Sequence, residues 1–452
     1  MSRTKTTRRA FLKGSTSLAA AGVAAPYVWT GTAAGQDSPA EKLTVGAIGT
    51  GGRGTHIGND AARLGNMVAV ADVKRGNAEK FASRFGGKCE VFEDYHKILD
   101  RKDVDVVTCG TPDHWHVKVA IDAMQAGKDI YCEKPLTLTM DESRQVMKVT
   151  RETGRIFQVG TQQRSEYNKM FLKAVAIARS GRLGDKLHAL SSVGGATSGG
   201  PFPNQDPPGD LNWDFWLGQT PKVPFCPNRI GWNFRWWFEY SGGQVTDWGV
   251  HHTDIAVWAL GGEETGVVEA TPVSDQCNFP LGRELMRDTL LGKKPFQDLP
   301  VSYNVANRFR VDMKLPGGNE ITLFSGKNEL ILSGDKGKIR VNRGGLSGKP
   351  VEDINASEQD RQWLDEEVNK LYRDMPMQGH MANFFHCVKT REKPISDVWT
   401  HCNSVNACHM ANIAMLLDRT VRFDPKKYQF ADDAEANALM TREQRAPYQI
   451  RV

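Results

Sequence analysis

The eight cysteines of this 452-residue chain, at positions 89, 109, 132, 226, 277, 387, 402 and 408, include no C-x-x-C pair. The paired-thiol signature of metal ribbons and thiol redox motifs is therefore missing, and so few cysteines dictate no disulfide framework in a chain this long. Cys109 and Cys132 sit within apolar strand-like runs and read as core. Also missing is net charge over most of the chain. Five of the positive charges behind the formal +5 (Arg3, Lys5, Arg8, Arg9 and Lys13) fall within residues 1–34, where there is no acidic residue. The remainder is formally neutral and has no electrostatic footprint for nucleic acid. The apolar run Leu18 to Val28 contains Pro26 and falls well short of the roughly 20 residues that span a bilayer, so no transmembrane domain is expected. No internal repeat is evident. With 40% hydrophobic and 25% charged residues, the composition is that of a globular protein.

What is present begins with a leader. Thr7-Arg8-Arg9-Ala10-Phe11-Leu12-Lys13 precedes the apolar run, and Thr32-Ala33-Ala34 supplies small residues for cleavage. Residues 1–34 resemble a twin-arginine export signal, which implies a periplasmic or cell-envelope location. Residues 35–42 read as a polar linker.

Strand and helix patterns then alternate. Strands are expected at Leu43–Ile48, Met67–Asp72, Glu90–Phe92, Val104–Cys109, Asp129–Cys132 and Arg155–Val159. A capping box, Thr139-Met140-Asp141-Glu142, opens a helix running to about Glu152. This pattern specifies a doubly wound parallel α/β sheet over residues 41–162. Beyond 163 the texture changes. A Gly/Pro-rich stretch at 194–208 leads to a tryptophan-dense segment, then to alternating strands at Phe309–Lys314, Glu320–Ser325, Glu329–Ser333 and Lys338–Asn342. Helical patterns follow near 377–389 and 401–417. Residues 163–452 are expected to form an α+β domain around an open, mainly antiparallel sheet.

Gly49-Thr50-Gly51-Gly52-Arg53-Gly54 fits G-x-G-x-x-G between a strand and a helix. Gly49 allows the tight turn, Gly51 lets backbone approach a pyrophosphate, and Gly54 lets the helix pack closely. Asp72 ends the next strand about 20 residues on, as a ribose-binding carboxylate does. That carboxylate favours NAD, while Lys74 and Arg75 nearby keep NADP as the alternative.

Three further blocks make the chain resemble the glucose–fructose oxidoreductase/inositol dehydrogenase (Gfo/Idh/MocA) family. They are Thr111-Pro112-Asp113-His114-Trp115-His116 running on to Glu133-Lys134-Pro135; Gly242-Gly243 with Asp247-Trp248-Gly249-Val250-His251 and Asp254; and the Leu332–Gly337 hairpin. Many members have Asn where Asp113 stands. The resemblance implies a cofactor site that includes Thr111, Pro112, His116, Glu133 and Lys134, and a catalytic group of Lys134, Asp247 and His251. It also implies a homo-oligomer. The residues add their own argument. Asp247 and His251 are four apart, so one helical face would let the carboxylate support the imidazole. A surface ion pair is the alternative. Histidine titrates near neutrality, as a base taking a carbinol proton must, and Lys134 supplies a fixed cation. His114-x-His116 lacks a third ligand, and no metal is expected.

Six of the eleven tryptophans lie between Trp213 and Trp248. Aromatic faces stack on sugar C–H faces, so Trp232 and Trp236 are substrate candidates with Arg235 and His251, and Asn233 and Arg229 could bind hydroxyls. An aromatic core is the alternative. The expected partner is a sugar or polyol and the expected activity NAD(P)-dependent oxidoreduction. Because a soluble NAD pool is not expected outside the cytoplasm, a tightly bound, recycled cofactor follows from the leader. Two alternatives remain: a glycoside hydrolase working through transient oxidation and elimination, and a catalytically silent sugar-binding protein.

Overall fold

The structure, a computed structural model, describes residues 42–452. The twin-arginine leader expected over residues 1–34 lies outside the described residues. Six short strands, β1 (Thr44–Ile48), β2 (Asn66–Ala71), β3 (Glu90–Phe92), β4 (Val106–Cys109), β5 (Asp129–Cys132) and β6 (Phe157–Val159), form one sheet in the order β3-β2-β1-β4-β5-β6. Every neighbouring pair is parallel. Helices on both faces bury the sheet, so β4, β5 and β6 are buried at every position and carry no polar face. The strand order reverses between β1 and β4, so the loops that follow them diverge and leave a crevice at the carboxyl ends.

The second sheet has nine strands in the order β13-β12-β11-β7-β10-β9-β8-β14-β15. They are β7 (His188–Val193), β8 (Glu269–Pro272), β9 (Arg310–Lys314), β10 (Glu320–Ser325), β11 (Glu329–Gly334), β12 (Gly337–Asn342), β13 (Gly345–Ser347), β14 (Val421–Asp424) and β15 (Gln429–Phe430). The β7–β10 pair is parallel and the other paired neighbours are antiparallel. The mainly antiparallel architecture is as expected, but β7, near the middle of the sheet, was not anticipated. Neither were the helices Lys349–Ala356 and Glu358–Leu371.

The Val398–Leu417 helix ties the two sheets together. Of its 20 residues only Trp399 and Asn403 escape burial, so it is enclosed on all sides rather than amphipathic. Its polar side chains are spent internally. Asn406 accepts from Ser143 at 2.9 Å and His409 meets Thr137 at 3.0 Å, pinning the helix to the Met140–Thr153 helix of the first sheet. Thr139 caps that helix as expected, accepting from the Glu142 N–H, while the Glu142 carboxylate reaches back to Leu138 N–H rather than to Thr139. A second weld is the buried pair Arg164–Asp254. The guanidinium donates to both carboxylate oxygens at 2.7 and 2.8 Å and lies over the Trp258 ring. These ties fix the loop after β5, which carries Lys134, against the helix that begins at Gly249. All eight cysteines are free, and all but Cys277 are buried. No helix among the described residues is long and apolar enough to cross a membrane.

Candidate active site

A cleft of about 650 Å³ runs from the glycine loop after β1, past the turn after β4, to residues of the second sheet's layer. At one end Gly49 takes φ +73°, and a Cβ there would press on the Thr111 backbone at 2.8 Å. A Cβ on Gly54 would run into the Gly49 carbonyl oxygen, so Gly54 serves helix packing and does not line the cleft. Gly51 and Gly52 do line it. The helix Gly52–Leu64 starts there without a side-chain cap, and a Cβ at Gly52 would meet nothing within 4 Å. Uncapped N–H groups at the positive end of a helix, facing open space, fit a pyrophosphate. Asp72 stands at the end of β2 on the cleft wall. Its carboxylate accepts from Thr50 N–H and Lys74 N–H, each at 2.8 Å, which aims it, while burial raises its pKa. Lys74 lines the cleft, whereas the Arg75 guanidinium is tied to Glu79.

Thr111, Pro112, Arg53 and Glu133 all line the cleft. Arg53 pairs with Glu133 at 2.8 Å, and Gln162 also donates to that carboxylate, at 3.0 Å. His116 lines the wall too, but both its ring nitrogens are engaged by backbone carbonyls, Pro135 at 2.7 Å and Thr111 at 2.9 Å. It acts as a strut joining the β4 turn to the loop that carries Lys134, rather than as a free cofactor ligand. His114 is buried against the Trp216 carbonyl at 2.8 Å. Among the described residues no group of three or more His, Cys, Asp or Glu side chains is placed to hold a metal.

The three residues expected to act together do share this cleft. Lys134 Nζ donates to Asp247 Oδ1 at 2.6 Å and to the Asp247 carbonyl at 2.8 Å. An ammonium has three N–H groups, so one remains for a substrate oxygen. Asp247 is buried. Lys134 and Arg235, whose Nε lies 3.1 Å from Oδ2, hold its carboxyl below the usual carboxylate range despite the opposing effect of burial. The expected support of His251 by Asp247 is not what the structure contains. The carboxylate turns to the two cations, the His251 Nδ1 is buried without a partner, and Nε2 meets Arg343 Nη2 at 3.2 Å. Burial, then the charges of Lys134 and Arg343, push the imidazole well below its ordinary pKa, so His251 is neutral at pH 7 rather than poised there. Asp113 also lines the cleft, fully enclosed. Burial and the nearby Asp247 charge raise its carboxyl to about 7, which lets it stand neutral as an Asn would.

The tryptophan segment divides. Trp232 is 61% exposed, lines the cleft and lies under the Arg235 guanidinium at 4.3 Å. Trp216 and Trp248 also line it. Trp236 does not. It is buried in the core, where its carbonyl receives Asn304 N–H at 2.9 Å. Arg229 is likewise unavailable, locked to Glu239 at 2.8 Å beneath Trp237, and Asn233 lies off the cleft. His252 points away, onto Asn328 at 2.6 Å. The sequence reading missed Gln162, Tyr167, Leu211, Phe215 and Arg343, all of which line the cleft.

Comparison with known proteins agrees with this fold. Residues 43–161 match the oxidoreductase family's NAD-binding Rossmann fold, and residues 198–278 and 323–450 match its C-terminal alpha/beta domain. An inositol 2-dehydrogenase of Salmonella typhimurium is 32% identical over 153 residues, 32% of this chain and 44% of that protein. One from Gluconacetobacter diazotrophicus is 32% identical over 227 residues, 49% of this chain and 55% of its own length. The chain thus spans about half the length of the curated relatives it matches. The aldose–aldose oxidoreductase of Caulobacter crescentus, solved with glycerol, shares the fold at a TM-score of 0.57 and 17% identity, covering 84% of this chain and all of that one (100%). The chain belongs to the Gfo/Idh/MocA oxidoreductase family, with its NAD-binding Rossmann fold in residues 43–161.

Proposed function

We propose that this protein is an NAD-dependent oxidoreductase acting on a hydroxyl-bearing carbon of a sugar or polyol. The observation that carries the reading is the single cleft in which the glycine loop, Lys134, Asp247 and His251 all stand. Bound NAD supplies the two-electron acceptor; the chain's own residues handle the proton and the charge. His251, kept neutral by burial and neighbouring cations, accepts the carbinol proton. Lys134, aimed by its two bonds to Asp247, donates its remaining N–H to the same oxygen as negative charge develops there. Arg235 lies beside the same carboxylate, so Lys134 and Arg235 together carry one positive charge more than Asp247, which suits an oxygen gaining negative charge. The relatives' names as inositol 2-dehydrogenases support the substrate class.

We further infer that the cofactor is retained between turnovers. A strap from the second sheet's layer crosses the Asp72 end of the cleft. Lys74 and Leu211 form an antiparallel bridge, Arg75 N–H donates to Asp210 O at 3.1 Å, Asn212 N–H to Val73 O at 3.0 Å, and the Asn212 side chain to Glu93 at 2.7 Å. Leu211 and Phe215 line the cleft beside this strap. Retention fits export of a folded, loaded protein by the leader in residues 1–34. It also favours redox-neutral chemistry, either paired oxidation and reduction or the oxidation–elimination route of a glycoside hydrolase. Mass spectrometry of the protein isolated without added nucleotide, followed by incubation with sugars while watching absorbance near 340 nm, tests both parts. Co-purified NAD and net NADH identify a dehydrogenase. Glycoside cleavage without net NADH identifies the redox-neutral route. Neither NAD nor turnover with any sugar or glycoside leaves only the silent sugar-binding role and refutes the proposal.

A further inference from the structure

Of the five cations that line the cleft, Arg343 is the one beside His251 that no carboxylate pairs with; Lys74, also without an ion pair among the described residues, stands at the Asp72 end. Arg53 has Glu133, and Lys134 and Arg235 share Asp247. Arg343, on the turn between β12 and β13, has no ion-pair partner among the described residues, and its Nε is buried without a hydrogen bond. The guanidinium is nevertheless carefully held. It lies 4.5 Å from the Trp248 ring and 4.8 Å from the Tyr167 ring, and both rings line the cleft. Tyr167 presents its ring from a run of three left-handed residues, Tyr167, Asn168 and Lys169, with φ of 56°, 53° and 59°. Such a run is strained for residues with side chains and persists where surroundings over-determine it. The Arg343 edge then meets His251 Nε2 at 3.2 Å. A guanidinium only donates, so Nε2 is the lone-pair nitrogen and Nδ1 carries the proton. That lone pair is the one a base needs, and Arg343 covers it.

We propose that Arg343 selects substrates bearing a carboxylate close to the reacting hydroxyl, sugar acids of the uronate or aldonate class, and that this carboxylate draws Arg343 off His251. A planar guanidinium matches a carboxylate in a two-point fork, a far better partner than a neutral imidazole. Exchange of partners exposes the base only when the acidic group is in place. A neutral sugar leaves Arg343 on Nε2 and the base covered. The surrounding acids leave this place open: Asp247 is shared by Lys134 and Arg235, Glu133 is taken by Arg53, and Glu166 acts on Arg343 only from beyond ion-pair range, so a bound carboxylate would be its first direct partner.

This inference rests on His251 as the base, so its test reads binding as well as turnover. Calorimetric titration of the full-length protein as isolated uses D-glucuronate, D-galacturonate and D-gluconate against glucose, galactose and sorbitol. At least one acid is expected to bind about 10- to 100-fold more tightly than its neutral counterpart, the range of a charge-assisted hydrogen bond. Arg343→Gln is expected to abolish that preference and Arg343→Lys to restore part of it. Acid-selective binding lost in Arg343→Gln supports the inference even if no sugar reduces NAD, an outcome that would sink the catalytic reading alone. Equal binding of acids and neutral sugars, no binding of any acid, or acid binding unchanged in Arg343→Gln overturns it.

Discussion

Replacing Lys134 by Met separates what the ammonium does for the fold from what it does for the reaction. In the native protein Lys134 Nζ gives Asp247 two short hydrogen bonds, and the Asp247 side chain is only 3% exposed. Without Lys134 the carboxylate keeps only Arg235, 3.1 Å away and poorly aligned, since Oδ2 has no hydrogen bond of good geometry. Breaking one side of a buried pair costs about 3–5 kcal/mol, and the surviving guanidinium places this case near the lower end, about 3 kcal/mol. With Lys134 in the proposed role, loss of its donor is expected to lower kcat by about 100- to 1,000-fold. The double variant Lys134→Met with Asp247→Asn removes both charges, and it is expected to recover most of the stability and none of the rate. Urea unfolding followed by fluorescence gives the first quantity, and single-turnover reduction of the bound nicotinamide, followed at 340 nm, gives the second. The reasoning is refuted if the double variant regains activity along with stability, or if Lys134→Met turns over within threefold of the native protein.

Three other outcomes follow from the same geometry. Because burial and cations hold the His251 imidazole well below its ordinary pKa, kcat/KM measured over about pH 5 to 8 should show no acid limb near 6.5. Arg343→Gln, which removes one of those cations, should move the limb upward. Asp113, raised to about 7 by burial, is protonated in the folded state at pH values where the unfolded chain is ionised. Its contribution is therefore intact below about pH 4, is lost as pH rises to about 7, and is flat above, with each pH unit worth about 1.4 kcal/mol and the whole no more than ~4 kcal/mol. Asp113→Asn should match the native protein in thermal melts at acid pH and exceed it increasingly up to neutrality. Asp254→Ala strands the buried Arg164 guanidinium and should cost about 3–5 kcal/mol in urea unfolding, with loss of folded protein at 37 °C as the severe form.

The nucleotide half was legible because its signals are local. β1 to β6 are short strands, largely buried except for β3 at the sheet edge, bounded by glycine and polar turns, and the turn chemistry of Gly49 and Gly54 is written in residue type. The second half was less so. β7 reads His-Ala-Leu-Ser-Ser-Val, with Ser191 and Ser192 buried, and it lacks the alternation that marks an ordinary strand. Its place in the sheet comes from pairing with β10 and β11, more than 100 residues away in sequence. Lys134, Asp247 and His251 were found by motif, yet the partner of the carboxylate was misjudged. Helical spacing puts Asp247 near His251 but cannot foresee a lysine arriving from position 134. Trp236 and Arg229 show the limit of composition, since a cluster of aromatic and basic residues serves core and cleft alike. Arg343 carried no signal at all. It lies in a short Asn-Arg-Gly-Gly turn after β12, and only the tertiary fold brings that turn to the cleft and to His251.

The account depends on the Lys134 ammonium and the His251 imidazole facing the same carbon of the nicotinamide. A crystal structure of the full chain with NAD bound measures that directly. It should place Lys134 Nζ and His251 Nε2 both within about 6 Å of nicotinamide C4, one hydrogen bond plus one near-attack distance away. A nicotinamide ring seated elsewhere, with either group beyond reach of a hydroxyl on the reacting carbon, contradicts it.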